Sequence, residues 1–487
     1  MDMKIGKTDF IFFLLCLFLG FVAEESFLRS EIGISYFIFI AVFYSIFYWR
    51  YRGFSFTHQR LGYLVLICIW LLSASYFIHM NFFFYALNIL AIPVLVIFHL
   101  VLITSQKSLP WNKPVFVYYI FRRLIESIKY NFSFLGSIVI FLKKGMDESR
   151  YEVWKKVLTG VLISIPVLFI VLQLLMSADT QFERLMGEIP QWFKVIDAEA
   201  VIRVLAVVFC TFSFFGLMQV LLKKHINAIQ QEANDQSSFK IDAIITITVL
   251  VLINAVYILF TVVQFKYFFS SSLQGDFTYA EYARKGFFEL LFVTLINLSI
   301  IIFVLSFMEN VTNSIKRLIQ SLLTILVLSS AVMLSSAFLR LSMYEEAYGF
   351  SFIRVMAHSF MLFLVVIFAY TLIKIWMERL SLFHFYFISS LLYYTSINLI
   401  DIEQIIVSKN IERYEMSGKI DLHYFNSLSH TGTLGLINLY EKNKEIPGLK
   451  DMLREKKREA FNDNTPWQSY NLKRERTNER LKDLTIE

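Results

Sequence analysis

Charge is what this chain has least of. Only 17% of its 487 residues are Asp, Glu, Lys or Arg, while 57% are apolar. A soluble domain carries about 25% charged and about 45–50% apolar residues, because its surface must face water. The composition excludes an ordinary water-soluble fold. Cysteine is also scarce: Cys16, Cys68 and Cys210 each sit inside an apolar run, and none forms a C-x-x-C pair. That speaks against a disulfide framework or a zinc site and leaves three small buried hydrophobes. Strand-like alternation is missing, which speaks against an outer-membrane barrel. There is no GxxxxGK(S/T) phosphate loop, no HExxH, no GxSxG elbow and no GxGxxG after a strand. An ATP-driven pump or a familiar hydrolase needs one of these. The net charge of +7 lies in short clusters between apolar runs, not on one face of a folded domain, so nucleic acid is excluded as a partner.

What the chain does have is long apolar runs, rich in its 51 phenylalanines. A helix that crosses a bilayer needs about 20 mostly apolar residues. Candidate spans fall at Phe10–Ala23, Ile32–Trp49, Leu61–Ile78, Phe82–Thr104, Val157–Met176, Val201–Leu222, Ile241–Phe265, Phe287–Phe307, Ile319–Leu341, Phe352–Trp376 and Phe383–Leu399. In lipid the backbone must satisfy itself, so these runs are helices. Glu24 and Glu25 follow the first run where a signal peptide has its cleavage site, so it reads as an uncleaved span. The fold class is an all-α polytopic transmembrane helix bundle of about eleven spans with a small helical C-terminal tail. Its partner is the lipid bilayer.

Four segments follow: a four-helix membrane segment at 1–104, a basic segment at 105–156, the main transmembrane domain at 157–402, and a soluble charged helical tail at 403–487. Within 105–156, Val115–Phe121 and Phe132–Leu142 are each too short to cross. They read as interfacial helices around Arg122, Arg123 and Lys129; a hairpin that dips in and out is the alternative. Lys and Arg number 22 in the N-terminus and alternate loops, against 9 in the opposite loops. The rule that cytoplasmic loops are basic then places the N-terminus in the cytoplasm. With an odd number of spans the tail faces outward. It carries 15 Lys/Arg and 14 Asp/Glu, and it reads as an independent unit, a docked one, or a surface for a protein partner.

Ionisable residues in or beside spans are the functional candidates. The stretch Thr278–Leu291, "TYAEYARKGFFELL", moves from charge to oil. Thr278 and Glu281 fit a capping box. Glu281, Arg284 and Lys285 mark where a helix crosses the membrane surface, and Glu289 lies one turn inside. The structural reading of Glu289 is a salt bridge to Lys285 or Arg284; the functional one is a proton or cation site. Arg340, Glu345, Glu346 and Arg354 surround the turn in "SMYEEAYGFSF" and predict a compact ion-pair cluster. Asp179, Glu183 and Arg184 invite the same reading, and His358 and His99 lie alone in apolar helices. The candidate polar site is thus Asp179, Arg184, Glu281, Arg284, Glu289, Arg340, Glu345, Glu346, Arg354 and His358. No residue is assigned to catalysis, a cofactor or a metal. Pro93 and Pro166 fall in mid-span. Asn88, Gln173, Gln219, Asn254, Gln264, Asn297 and Asn398 predict interhelical hydrogen bonds.

Several separated pieces resemble a bacterial multi-pass family known only as a domain of unknown function, numbered 4153, with a relative numbered 4173. They are "LLMSADTQF" (Leu174–Phe182), "YAEYARKGFFELL" (Tyr279–Leu291), "RLSMYEEAYGFSFIR" (Arg340–Arg354), "NIERYEMSGKIDLHYFNSLS" (Asn410–Ser429) and "PWQSYNLKRER" near the end. The pieces reach from the fifth span to the C-terminus. The family's usual glycine after an aromatic pair is replaced in "YFFSSS" (Tyr267–Ser272). The resemblance implies a polytopic bacterial membrane protein with a helical tail, and carries no activity or substrate.

The expected location is a bacterial cytoplasmic membrane. The expected role is non-enzymatic, in envelope transport, sensing or assembly. A secondary transporter with a mid-membrane polar site is one alternative. An enzyme at the outer face using Glu345 and Glu346 is another; it needs one cleft holding both carboxylates, not locked to Arg340 and Arg354.

Overall fold

A computed structural model describes residues 7–143, 198–222, 240–269, 287–309 and 311–486, apart from Met80, and scattered positions between 153 and 182. Among these residues it has sixteen α-helices and no strand. They are α1 Lys7–Phe27, α2 Ile34–Arg50, α3 Gln59–Ile78, α4 Phe82–Thr104, α5 Pro114–Lys143, α6 Ala198–Leu222, α7 Ala243–Phe269, α8 Phe287–Phe307, α9 Asn313–Tyr348, α10 Phe352–Trp376 and α11 Leu382–Leu399 in the apolar part. The tail holds α12 Ile402–Ser417, α13 Leu422–Ser427, α14 His430–Lys442, α15 Leu449–Phe461 and α16 Leu472–Asp483.

Eight of the helices (α1, α3, α4 and α6 to α10) are long and apolar enough to cross a membrane; α2, with 17 residues, is shorter. The expected span at Val157–Met176 lies largely outside the described residues, as do Pro166 and Gln173. One expectation is corrected. The two short interfacial helices of 105–156 are a single 30-residue helix, α5. Its charges do not break it because they pair along it. Arg122 Nε lies 3.1 Å from Glu126, Arg123 Nη1 lies 2.8 Å from the same carboxylate, and Arg123 Nε donates to Tyr119 at 2.9 Å.

The packing logic shows best in α8. Phe287, Leu290, Thr294, Asn297, Ile301 and Val304 are buried, at steps of three and four residues. Phe288, Phe292 and Phe303 between them are exposed. An inward seam that holds the polar Thr294 and Asn297, with a mainly apolar outer face, is the pattern of a helix between protein and lipid.

The chain divides into two compact units. The first comprises residues 1–63, 94–226 and 465–470; its boundary in α4 falls directly after Pro93. Here α1 packs on α6 and α2, and α5 on α6. A Cβ on Gly20 would stand 2.6 Å from Thr211 Oγ1, so only glycine permits that approach of α1 to α6. Asp9, Arg50 and Gln219 form a closed triangle: Arg50 to Asp9 at 2.7 Å, Arg50 to Gln219 at 3.0 Å, and Gln219 to Asp9 at 3.0 Å. Residues 465–470 lie against the α1–α2 connection, with Gly33 N donating to Gln468 O at 2.9 Å and Gln468 Nε2 to Glu25 at 2.7 Å.

The second unit comprises residues 64–93, 227–464 and 471–487. Its membrane core joins α7, α8, α9 and α10. The amides do what the sequence predicts: Asn254 Nδ2 donates to Leu322 O and Asn297 Nδ2 to Ser330 Oγ, both at 2.9 Å. Asn88 Nδ2 donates to Asn398 Oδ1 at 2.7 Å. The tail helices share a core of their own around Val407, Phe425, Leu436, Tyr440, Leu453 and Leu481. A further cluster, in which Phe350, Phe352, Tyr424 and Leu428 pack on Phe84, Ile397, Ile402 and Ile406, seats this cap on the membrane helices. Gly418, with φ +68°, ends α12, as its place in the sequence predicts.

Candidate functional site

The site forms where α9 ends. The last carbonyls of any helix lack partners within it. Here the cap supplies them: Arg413 on α12 donates from Nη2 to Ala347 O at 2.8 Å and from Nε to Glu346 O at 3.3 Å. A cation there also complements the helix dipole. Gly349 then turns the chain at φ +85°, a conformation that favours glycine. A Cβ at this position would stand 2.7 Å from Asn410 Oδ1. Asn410 pairs with Phe350 as a neighbouring strand would, accepting from its N–H at 2.9 Å and donating to its carbonyl at 2.8 Å. The hydroxyl of Tyr424 accepts from Phe352 N at 2.9 Å. Burial is the main cause that holds this phenol protonated above its ordinary range. Two of the sequence pieces singled out above, some 60 residues apart, thus form one clamp.

Directly before the turn sits Glu345, only 4% exposed. Its Oε2 lies 3.1 Å from His358 Nδ1 on α10, and its Oε1 accepts no hydrogen bond among the described residues. The ion pair found for Glu345 among the described residues is with a histidine. Arg354 instead donates to Gly349 O and stands 4.1 Å over the Tyr344 ring. Glu346 is exposed. Glu345 and Glu346 line the same cleft, of about 520 Å³, together with Lys409, Arg413, Met416 and Lys419. Arg340 is buried on the same helix.

Of the other described candidates, neither Glu289 nor Asp179 lines this cleft. Glu289 is exposed in the first turn of α8, with no ion pair among the described residues. Asp179 is exposed. Arg184, Glu281 and Arg284 lie outside the described residues, as does the capping box at Thr278. His99 bonds Tyr44 through Nδ1 at 2.9 Å, the structural role of a histidine alone in a span.

Ser342, His358 and Glu345 have the order of contacts of a Ser-His-Glu triad, with Ser342 Oγ 3.4 Å from His358 Nε2. Chemistry does not follow from it. The Ser342 hydroxyl donates to Phe338 O, four residues back, at 3.1 Å, and Ser342 sits inside a continuous helix whose N–H groups are spent on the ladder. An oxyanion hole needs free donors aimed at one point. Among the described residues no three His, Cys, Asp or Glu side chains gather as metal ligands.

Sequence reasoning missed a second cleft, of about 840 Å³, between α12, α14, α15 and α16. Its wall includes Glu403, Ser429, His430, Lys456, Asp463 and Arg474. Glu403 is buried and accepts from Ser429 N at 3.0 Å and from its hydroxyl; burial pushes its pKa up. Burial, then Arg474, pulls His430 down to about 4. Arg474 holds Asp463 with two bonds, at 2.9 and 2.7 Å. The only trace of this in the sequence is "SLSH", whose Ser429 precedes a helix. In the membrane part, His79, Asn88 and Asn398 border a cavity of about 20 Å³, room for about one water.

Fold and site together define a multi-pass helical membrane protein whose C-terminal helices close over one end of the second unit's membrane helices. The chain belongs to the family described as Domain of unknown function (DUF4153), whose model matches residues 66–439. The match takes in the turn at Gly349 and its clamp; it begins already in α3, and the "PWQSYN" stretch lies beyond it. No curated protein and no solved structure matches the chain.

Proposed function

We propose that this protein stands in a bacterial cytoplasmic membrane with its N-terminus inside and its cap outside. There the cap takes part in sensing or assembly of envelope components by holding a polar ligand at the membrane boundary. The observation that carries this reading is the clamp at Gly349, which builds a polar cleft around Glu345 where a span leaves the lipid. Charge placement supports the orientation. Helix ends on the N-terminal side of the first unit carry Lys7, Arg50, Arg52, Arg60, Lys107 and Lys113; the opposite ends carry Arg29 and Arg203. In the second unit the helix ends on the cap's side carry Lys266, Arg340 and Arg354, and the connections 79–81 and 349–351 have no Lys or Arg, while the other ends carry Lys240, Lys316, Arg317, Lys374 and Arg379. The cap is too long to count in this rule.

Single cysteines test the orientation. Glu445→Cys, on the exposed surface of the cap, should react with a membrane-impermeant maleimide in intact cells. Ser108→Cys should react only after permeabilisation. The reverse pattern would end this reading.

One observation favours a second reading, an enzyme at the outer face: Glu345 and Glu346 line one cleft in different surroundings, one buried beside His358 and one exposed. Such pairs divide acid and base roles. Turnover of an envelope lipid or glycan, abolished in Glu346→Gln, would favour it over simple binding.

A further inference from the structure

The cleft at the end of α9 has a polarity that narrows its ligand. Glu345 is buried on its wall, and His358 occupies one carboxylate oxygen. The other, Oε1, accepts no hydrogen bond among the described residues. A buried carboxylate oxygen without a donor is a rare and unfavourable state. Two arginines nearby are committed elsewhere. Arg413 gives its guanidinium to the carbonyls of Ala347 and Glu346, and Arg354 gives its own to Gly349 O and the Tyr344 ring. The rim is the opposite of the wall. Lys419 has no ion pair among the described residues, and Lys409 meets Glu412 only through an exposed contact at 2.8 Å. Such a contact opens readily. Met416, 78% exposed, and Phe350 add apolar surface. The volume of about 520 Å³ is that of a small-ligand site.

Position adds a further constraint. At 36 residues, α9 is about 54 Å long, against a hydrocarbon core of about 30 Å. Its length leaves terminal turns, Glu345 among them, beyond what the hydrocarbon core needs.

We propose that this cleft binds a zwitterion: a primary ammonium on Glu345 Oε1 and, a short linker away, an anionic group on Lys419 and Lys409. This deepens the reading of the cap as a ligand-holding module and rests on it for its biological setting. The chemistry has two natural sources, the phosphoethanolamine headgroup of a lipid and a soluble amino acid or short peptide. Both present N–H donors to the orphan oxygen and an anion to the rim. A trimethylated ammonium keeps the charge but has no N–H, so it leaves Oε1 unsatisfied.

The test uses purified full-length protein in detergent and calorimetric titration with three probes: glycerophosphoethanolamine, glycerophosphocholine and L-alanyl-L-alanine. Glycerophosphoethanolamine or the dipeptide should bind, with glycerophosphocholine at least tenfold weaker. Tighter binding of the first assigns the site to lipid; tighter binding of the dipeptide assigns it to a soluble ligand. Glu345→Gln should weaken binding at least tenfold and Lys419→Glu severalfold. Lys419 is exposed, so its variant folds even where Glu345→Gln does not. Equal affinity for the choline compound, unchanged affinity in both variants, or no binding of any probe would overturn the proposal. Orientation does not enter this assay. A cap labelled as cytoplasmic beside intact zwitterion binding would end the outward reading and leave the site standing.

Discussion

The α9–α10 hairpin is built differently at its two ends. At the start of α9, Lys316 pairs with Glu378 across an exposed surface, and Trp376 Nε1 donates to Thr324 Oγ1 at 3.1 Å. At the other end the turn is buried under a second layer: Asn410, Arg413 and Tyr424 take up its backbone groups, and Glu345 pairs with His358 inside. Exposed pairs contribute little because water competes for both partners. Buried ones matter because removing one partner strands the other. The open end is a tether, and the capped end is where specific structure, and a cleft, can be held.

The strongest way to break this comparison is Asn410→Ala. It leaves both backbone groups of Phe350 without partners and should destabilise the cap by about 2–6 kcal/mol, at about 1–3 kcal/mol for each stranded group. Limited proteolysis in detergent should cut the variant's cap under conditions where the native cap survives. An unchanged pattern would mean the clamp is ornamental.

Acid sharpens the contrast, because only the capped end depends on His430. Its folded pKa of about 4 lies below the ordinary 6.5. Between those values the unfolded chain takes up a proton that the folded cap does not, so stability falls as pH falls. The loss reaches at most about 3 kcal/mol near pH 4. Glu403, raised by burial, acts in the other direction as pH climbs above 4.5. His430→Gln should remove the acid-side fall in thermal melts at pH 4 to 7; a melt of the variant as acid-sensitive as the native protein would contradict this.

The smallest effect belongs to the open end. Lys316→Ala should leave the melting midpoint unchanged within error at high salt. A clear drop there would erase the difference between the two ends.

The spans were legible because lipid makes helix the only solution for an apolar run, and the amides Asn88, Asn254, Asn297 and Asn398 were legible because nothing else can satisfy them there. The pairing of Glu345 was not. The nearest cations along the chain are arginines, but Arg354 opens a new helix and turns back to the Gly349 carbonyl, while His358 sits one turn further on the side that faces α9. Helix α5 was misread for a related reason: hydropathy saw charges interrupting two short runs, whereas pairing along the helix lets Arg122, Arg123 and Glu126 stay within it. The cleft around Glu403 was invisible because its wall is assembled from several helices, with residues drawn from Phe82 to Leu481. Periodicity speaks about one element at a time.

The order in which the chain is made has a consequence at Gly349. Asn410 and Tyr424 leave the ribosome 60 or more residues after the turn they hold, a delay of about 3–15 s at ordinary synthesis rates. During that interval the hairpin is already placed in the bilayer with Glu345 bare. The pocket comes into being only when the last helices arrive, so a ribosome that stalls before residue 410 releases an anchored but siteless protein.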